Sequence, residues 1–252
     1  MCRRVVVGCL LVSILAVPVL RAQQDTTGRF SFIFIANPKP GMAKQFEDGM
    51  KKHIAWHTQQ KDQRSYSVSV VAAGEGVGSY RVVYGGLRWQ DQDQAAPIAG
   101  ADIADVNLNI SPSVESWNSL IALRLDSLSR IPATEPAKAM NWVTYTYVKP
   151  GKGPEYSAYL RRLREAHNQA NSPYRYFVLT VIVGANTPAF ALVRPADKWA
   201  DFTPARNRQV LVQAFGELEA DRLLNTLDDV VGRTVSFVTV RRPDLSYTPA
   251  GQ

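Results

Sequence analysis

Trp142-Val143-Thr144-Tyr145-Thr146-Tyr147-Val148-Lys149-Pro150-Gly151 repeats, position for position, the pattern of Phe32-Ile33-Phe34-Ile35-Ala36-Asn37-Pro38-Lys39-Pro40-Gly41. In both stretches an aromatic and β-branched run closes on Lys-Pro-Gly, which predicts a strand followed by a turn. The match continues without a gap at an offset of 110, laying residues 31–92 on residues 141–202 with 12 identities in 62 pairs. Phe46 falls on Tyr156, Met50 on Leu160, His57 on His167, Tyr66 on Tyr176, Gly74 on Gly184 and Trp89 on Trp199. A period this long exceeds that of solenoid repeats, so each copy is expected to be a small domain.

Within a copy the periodicity changes from two to 3.6 and back. Phe46, Met50, His53 and His57, and likewise Tyr156, Leu160, Leu163 and His167, follow spacings of four, three and four. That spacing puts each set on one face of a helix, over 42–60 and 154–170. Tyr66 to Ala73 and Tyr80 to Tyr84 flank the glycine-rich Gly74-Glu75-Gly76-Val77-Gly78, as Tyr176 to Val183 and Phe190 to Arg194 flank residues 184–188. Two extended runs around such a turn predict a hairpin. In copy two, Arg206 to Phe215 and Glu217 to Val231 are expected helices and Arg233 to Val240 a strand. In copy one, Val114 to Leu123 is expected to be helical and Leu125 to Ile131 to be the strand. An offset of 111 would then pair Arg130 with Arg241 and Pro132 with Pro243. Gln90 to Ser113 is expected to be a long loop with at most one short helix, and residues 132–140 a linker.

The order β-α-β-β-α-β is that of the ferredoxin-like unit. Val68, Val70 and Ala72 alternate with Val71 and Ala73, so both faces of the strand are apolar and both should be covered. Two copies can bury their bare sheet faces against each other. The expected fold class is α+β, with tandem ferredoxin-like (βαββαβ) repeats over 23–135 and 136–252 forming one pseudo-symmetric barrel.

In element order, duplication, the strand–Pro-Gly–helix opening and the Trp after the third strand, the chain resembles the dimeric α+β-barrel superfamily, fused into one polypeptide. That superfamily includes the antibiotic biosynthesis monooxygenases, the stress-responsive barrel proteins and the NIPSNAP-like proteins. The resemblance covers residues 30–92 and 141–248. It implies a dimeric-type α+β barrel and brings no catalytic signature that maps onto this chain residue by residue. Cofactor-free oxygenases of the superfamily hold an electron-rich aromatic substrate in a cavity, with polar residues aiding proton removal. The chlorite dismutase-like proteins, which also use duplicated ferredoxin-like units, place one helical His on a haem iron. By that resemblance His57 or His167 would be the haem ligand.

The ends and the composition narrow the rest. Met1-Cys2-Arg3-Arg4, the apolar run Val5 to Leu20 and Ala22 before Gln23 have the form of a secretory signal peptide over 1–22. The expectation is an exported, periplasmic bacterial protein with no stable membrane span after cleavage. Both cysteines, Cys2 and Cys9, fall inside that segment, so the mature chain would have neither a disulfide nor a thiol nucleophile. The formal charge of +7 falls to +4 without Arg3, Arg4 and Arg21, and basic residues are dispersed among acids. That distribution argues against a nucleic-acid partner.

Three histidines remain as candidates for chemistry: His53, His57 and His167. His53 and His57 stand one helical turn apart, a spacing able to grip a metal, but no carboxylate or third His stands at a matching position in the sequence. The expectation is therefore no metal and no cofactor, with haem as the alternative. His57 and His167 are equivalent in the two copies, which suits a repeated packing role. Trp142, Tyr145, Tyr147, Tyr66 and Tyr176 are candidates to line a cavity between the two sheets for a small apolar or aromatic ligand. The leading expectation is a non-catalytic binding or interaction protein, monomeric or dimeric. The alternative is a cofactor-independent oxygenase-like or haem-dependent enzyme.

Overall fold

A computed structural model describes residues 30–93, 97–184 and 187–251. The expected signal peptide, residues 1–22, lies outside them, and so does part of the second hairpin turn, residues 185–186. The first copy runs β1 (Phe30–Pro38), α1 (Ala43–Gln60), β2 (Ser67–Gly74), β3 (Tyr80–Leu87), α2 (Ala99–Asn109) and β4 (Val114–Arg124). The second runs β5 (Met140–Val148), α3 (Gly153–Gln169), β6 (Phe177–Val183), β7 (Ala189–Ala196), α4 (Asn207–Phe215), α5 (Glu217–Val230) and β8 (Val231–Arg241).

The eight strands close into one barrel in the order β1-β3-β2-β8-β5-β7-β6-β4. The copies are joined by exchange: β8 of the second pairs with β2 of the first, and β4 of the first with β6 of the second. Ile121 stands opposite Val183 at one seam and Val238 opposite Ala73 at the other, so the two seams are related by the internal repeat. Closure of this kind leaves no strand edge to pair with another molecule. The α+β barrel of tandem ferredoxin-like repeats is the fold of this chain.

Two expectations in the first copy are corrected. Val114–Arg124 is a strand rather than a helix, paired along its length with β1, and Asp126–Leu128 is a short 3-10 turn where a strand was expected. Long-range pairing overrides the local pattern here, because most of Glu115 to Ser119 is polar and exposed and carries no strand signature. The last strands are accordingly related by an offset of 117, Arg124 matching Arg241, and not by 111. The extra residues lie in copy two, where α4 and α5 occupy the connection that α2 alone makes in copy one.

Three cores follow from the strand alternation. On β5, Thr146 accepts a hydrogen bond from Tyr156 of α3 at 3.0 Å and so faces the helices. Its neighbours Tyr145 and Tyr147 therefore face the lumen. There they join Val71, Val143, Val181, Val235 and Phe237. Arg81 also reaches in, its guanidinium 4.6 Å over the Phe237 ring, and burial pushes its pKa down. Outside the barrel, α3, α4 and α5 cover the second copy's sheet, while α1 covers the first through Phe46 and Met50. Among the described residues no helix is long and apolar enough to cross a membrane.

Ion pairs tie the two copies together, and the one formed by Arg242 reaches furthest into the first copy's helix face. Arg242, just past β8, donates through both terminal nitrogens to Glu47 of α1, which also accepts from Tyr80 at 2.6 Å. The Arg242 fork holds the Glu47 carboxyl well down, at about 2 against an ordinary 4.5. A depressed carboxyl contributes stability at neutral pH that is lost as pH falls from about 4.5 through about 2. The full shift would correspond to about 3 kcal/mol, and solvent screening of this partly exposed pair leaves about 1–2 kcal/mol. Glu47→Gln should therefore lower the unfolding free energy at pH 7, with the difference from wild type closing toward pH 2. Urea titrations at a series of pH values measure this, and a pH-independent gap would rule the ion pair out as its cause.

Candidate functional site

The site is built on the last two turns of α1. Phe46 and Met50 anchor the helix to the sheet, and the same face continues to His53 and His57, which are 3% and 0% exposed. The helix ends at Lys61, in the left-handed region at φ 54°. The chain then turns back so that the Asp62 N–H donates to the His57 carbonyl at 3.1 Å. This return brings the Asp62 carboxylate 3.0 Å from His57 Nδ1, at an ion-pair distance although too bent for a well-aligned hydrogen bond. The Arg64 N–H and guanidinium hold that carboxylate in place. Against the upward push of burial, these Arg64 contacts leave Asp62 below the usual carboxylate range. Tyr247 stacks on His57 with ring centroids 5.1 Å apart and donates to the Asp62 carbonyl at 2.8 Å.

The helix α2 supplies the remaining groups. It approaches α1 at Gly49, where a Cβ would lie 2.1 Å from the Asn109 carbonyl oxygen, so only glycine permits the contact. Asp102 and Asp105, three apart, share one face of α2. Asp105 Oδ2 lies 2.8 Å from His53 Nδ1, and Asn109 donates to the other Asp105 oxygen at 2.9 Å. Asp102 Oδ1 stands 3.4 Å from His53 Nε2 and 3.6 Å from His57 Nε2, and those two nitrogens are 3.0 Å apart. Among the described residues Asp102 Oδ1 is buried without a hydrogen-bond partner, as are His57 Nδ1 and the Tyr66 hydroxyl. Burial, and then the charge of His53, pushes the His57 pKa down, and burial pushes the Tyr66 hydroxyl up.

A cleft of about 440 Å3 opens onto this cluster between the outer face of the first sheet and the helices α1 and α2. Phe34, Val82, Tyr84, Val106, Ile110 and Trp117 give it apolar and aromatic walls, and Tyr66, His53 and Asp102 give it a polar end. The cleft thus lies under the helices of copy one, whereas a cavity between the sheets was expected. The lumen is occupied by its own packed side chains.

The sequence candidates separate accordingly. Tyr66 lines the cleft, and His57 lies in the cluster behind it. Tyr145 and Tyr147 belong to the lumen, Tyr176 is buried beneath α3, and Trp142 packs edge-on against Phe202 under the Arg194 guanidinium. His167 is satisfied on both nitrogens, with Ser172 Oγ 3.0 Å from Nδ1 and Asn207 Oδ1 3.1 Å from Nε2. The equivalent histidines therefore part company, because copy two has Ser172 where copy one has Asp62, and Leu163 where it has His53. The expectation that no carboxylate accompanies His53 and His57 is corrected by Asp102. Sequence reading does not reach Asp62, Asp102 and Asp105. The signal that could have found the last two is their spacing within 99–109, an amphipathic helix in a stretch expected to be a long loop with at most one short helix.

Haem does not fit either histidine. A macrocycle seated on Nε2 of His57 or His53 would overlap the other imidazole, 3.0 Å away. On His167, Asn207 occupies that nitrogen.

No protein-family model matches the sequence, and no curated protein matches it. Solved structures do match the fold. An anthrone oxidase-like protein superposes with a TM-score of 0.56 at 14% identity, over 91% of this chain and 96% of its own. A variant chlorite dismutase from Candidatus Nitrospira defluvii gives 0.52 at 8% identity, over 87% and 94%. A protein assigned as a monooxygenase from Lactobacillus acidophilus NCFM gives 0.50 at 11% identity, over 88% and 97%. At these identities the likeness is one of fold, that of the dimeric α+β barrel.

Proposed function

We propose that this protein is an enzyme that holds a small, flat, largely apolar molecule in the cleft of its first repeat and acts on it through the cluster at the cleft's polar end. The observation that carries this reading is the meeting of apolar walls with the convergent His53 and His57, both buried, and the half-buried Asp102. Apolar enclosure with a few oriented polar groups is the usual form of a small-molecule site. The second copy offers an internal comparison, since the same fold position there carries a fully satisfied His167. The geometry thus favours the enzymatic alternative over a purely binding role.

The chemistry such a cluster supports is proton removal from an acidic O–H or C–H of the bound molecule. Asp105 and Asp62 sit at the outer nitrogens of the two imidazoles and stabilise the charge that a proton taken at Nε2 would create. The named likeness to an anthrone oxidase-like protein suggests anthrone as the first probe. Its conversion to anthraquinone consumes one dioxygen, replaces the two methylene hydrogens by a carbonyl oxygen and releases one water. Trp117 lines the cleft, so anthrone should quench its fluorescence saturably and be consumed with matching oxygen uptake. Val106→Trp, which fills the cleft from the face of α2, should weaken binding at least tenfold with the near-UV circular dichroism of the barrel retained. Absence of saturable quenching by anthrone and by simple polycyclic phenols would overturn the reading.

A further inference from the structure

We infer that His53, His57 and Asp102 form a binding site for one divalent transition-metal ion at the polar end of the cleft. The inference rests on the cleft described above for its setting, and the argument for the ion comes from the cluster's own geometry. With an ion on both Nε2 atoms those nitrogens are not free to take a proton, so the base role above belongs to the ion-free protein.

The three inward atoms, His53 Nε2, His57 Nε2 and Asp102 Oδ1, are 3.0, 3.4 and 3.6 Å from one another. An ion about 2.1 Å from each of its donors spaces them roughly 3.0 Å apart in octahedral and roughly 3.4 Å apart in tetrahedral coordination. Two of the three separations lie in that range and the third, 3.6 Å between Asp102 Oδ1 and His57 Nε2, slightly exceeds it. Each imidazole is also backed by a carboxylate on its outer nitrogen, Asp105 for His53 and Asp62 for His57. For His53 the Asp105 hydrogen bond is the contact that fixes the tautomer of a metal-binding histidine and leaves its Nε2 lone pair inward, while Asp62 beside His57 Nδ1 supplies charge rather than an aligned hydrogen bond.

Without a cation that arrangement is frustrated. Two nitrogen lone pairs and a carboxylate oxygen would converge in a buried space, and Asp102 Oδ1 has no donor. A single shared proton would bridge the imidazoles but would still leave Asp102 Oδ1 unpaired. Charge points the same way. Asp62, Asp102 and Asp105 face the cluster, and among the described residues Arg64 is the one guanidinium beside them, 3.4 Å from Asp62 and 4.0 Å from Asp102. With neutral imidazoles, two negative charges remain for a divalent ion to balance. Two histidines and one carboxylate suit Fe, Mn, Co or Zn rather than Ca or Mg, which prefer oxygen donors. His53 and Asp102 also line the cleft, so coordination positions not filled by protein would face a bound small molecule.

The test uses the whole chain, stripped by chelator and titrated with Co2+ alone. One Co2+ per chain should bind, with d–d absorption reporting a nitrogen–oxygen site. His53→Leu, which installs the residue found at the equivalent Leu163, and Asp102→Asn should each weaken binding at least tenfold. Near-UV circular dichroism on the same samples shows that the variants are folded. Absence of saturable Co2+ binding, or binding unchanged in both variants, would overturn the site. Anthrone quenching measured in parallel separates the two readings. Quenching without Co2+ binding removes the metal and leaves the cleft. Co2+ binding that depends on these residues, without quenching, upholds the metal and removes the proposed ligand class.

Discussion

Gly49→Ala is expected to dismantle the imidazole–carboxylate cluster while leaving the barrel closed. In an unobstructed helix this change would be favourable by about 1 kcal/mol, because alanine is the better helix former. Here the added Cβ would meet the Asn109 carbonyl oxygen at 2.1 Å and its carbon at 3.0 Å. Both are backbone atoms, so no rotamer change relieves the overlap and one helix must move. The helix α1 is pinned by Phe46 and Met50, whereas α2 contributes no fully buried side chain. It is therefore α2 that shifts, taking Asp102 and Asp105 away from His53 and His57. Overpacking of this kind typically costs about 1–3 kcal/mol, which outweighs the gain in helix propensity. The larger effect should be on function, with anthrone quenching and Co2+ affinity both falling tenfold or more. A Gly49→Ala protein that matched wild type in both titrations would show that the α1–α2 contact does not position the site.

The fate of particular residues shows what a single sequence can reveal about this molecule. The strands and first helices of each copy were legible because their apolar residues repeat with a period of two or 3.6 and then do so again 110 residues later. Strand β4 was not, because its first half is polar on both faces and its partner, β1, lies about 85 residues away in sequence. His57 stood out as a repeated position, yet repetition alone suggested a packing role. That role suits His167, held between Ser172 and Asn207, and the difference between Asp62 and Ser172 marks where the copies diverge. Asp102 and Asp105 could not be placed, since their meeting with His53 depends on a glycine-mediated helix approach between segments some fifty residues apart.

Gly74→Ala is expected to be among the most destabilising single changes in the barrel, because two independent costs fall on one seam. Gly74 ends β2 opposite Phe237 of β8, with φ at +90°. An alanine there meets the cost of a left-handed backbone, about 1 kcal/mol. Its Cβ would also lie 2.4 Å from the Ser236 carbonyl oxygen and 2.7 Å from Phe237 Cα. Relief requires β8 to move off β2, and Phe237 belongs to the packed lumen with Val71 and Tyr145, so the displacement enters the core. A total of about 3 kcal/mol or more is expected. Two glycines provide the scale. Gly41 also has a positive φ, of +78°, but nothing within 4 Å of its Cβ position, so Gly41→Ala should cost only the backbone increment. Gly184 is the repeat-equivalent residue at the opposite seam, where the obstacle is the Leu120 side-chain Cβ at 2.9 Å, and Gly184→Ala should fall between the two. Urea unfolding of the three variants should therefore rank Gly74 worst, Gly184 next and Gly41 least. If Gly74→Ala and Gly41→Ala proved equally stable, the seam between the copies would be compliant, and closure of the barrel could not rest on the close approach of β2 to β8.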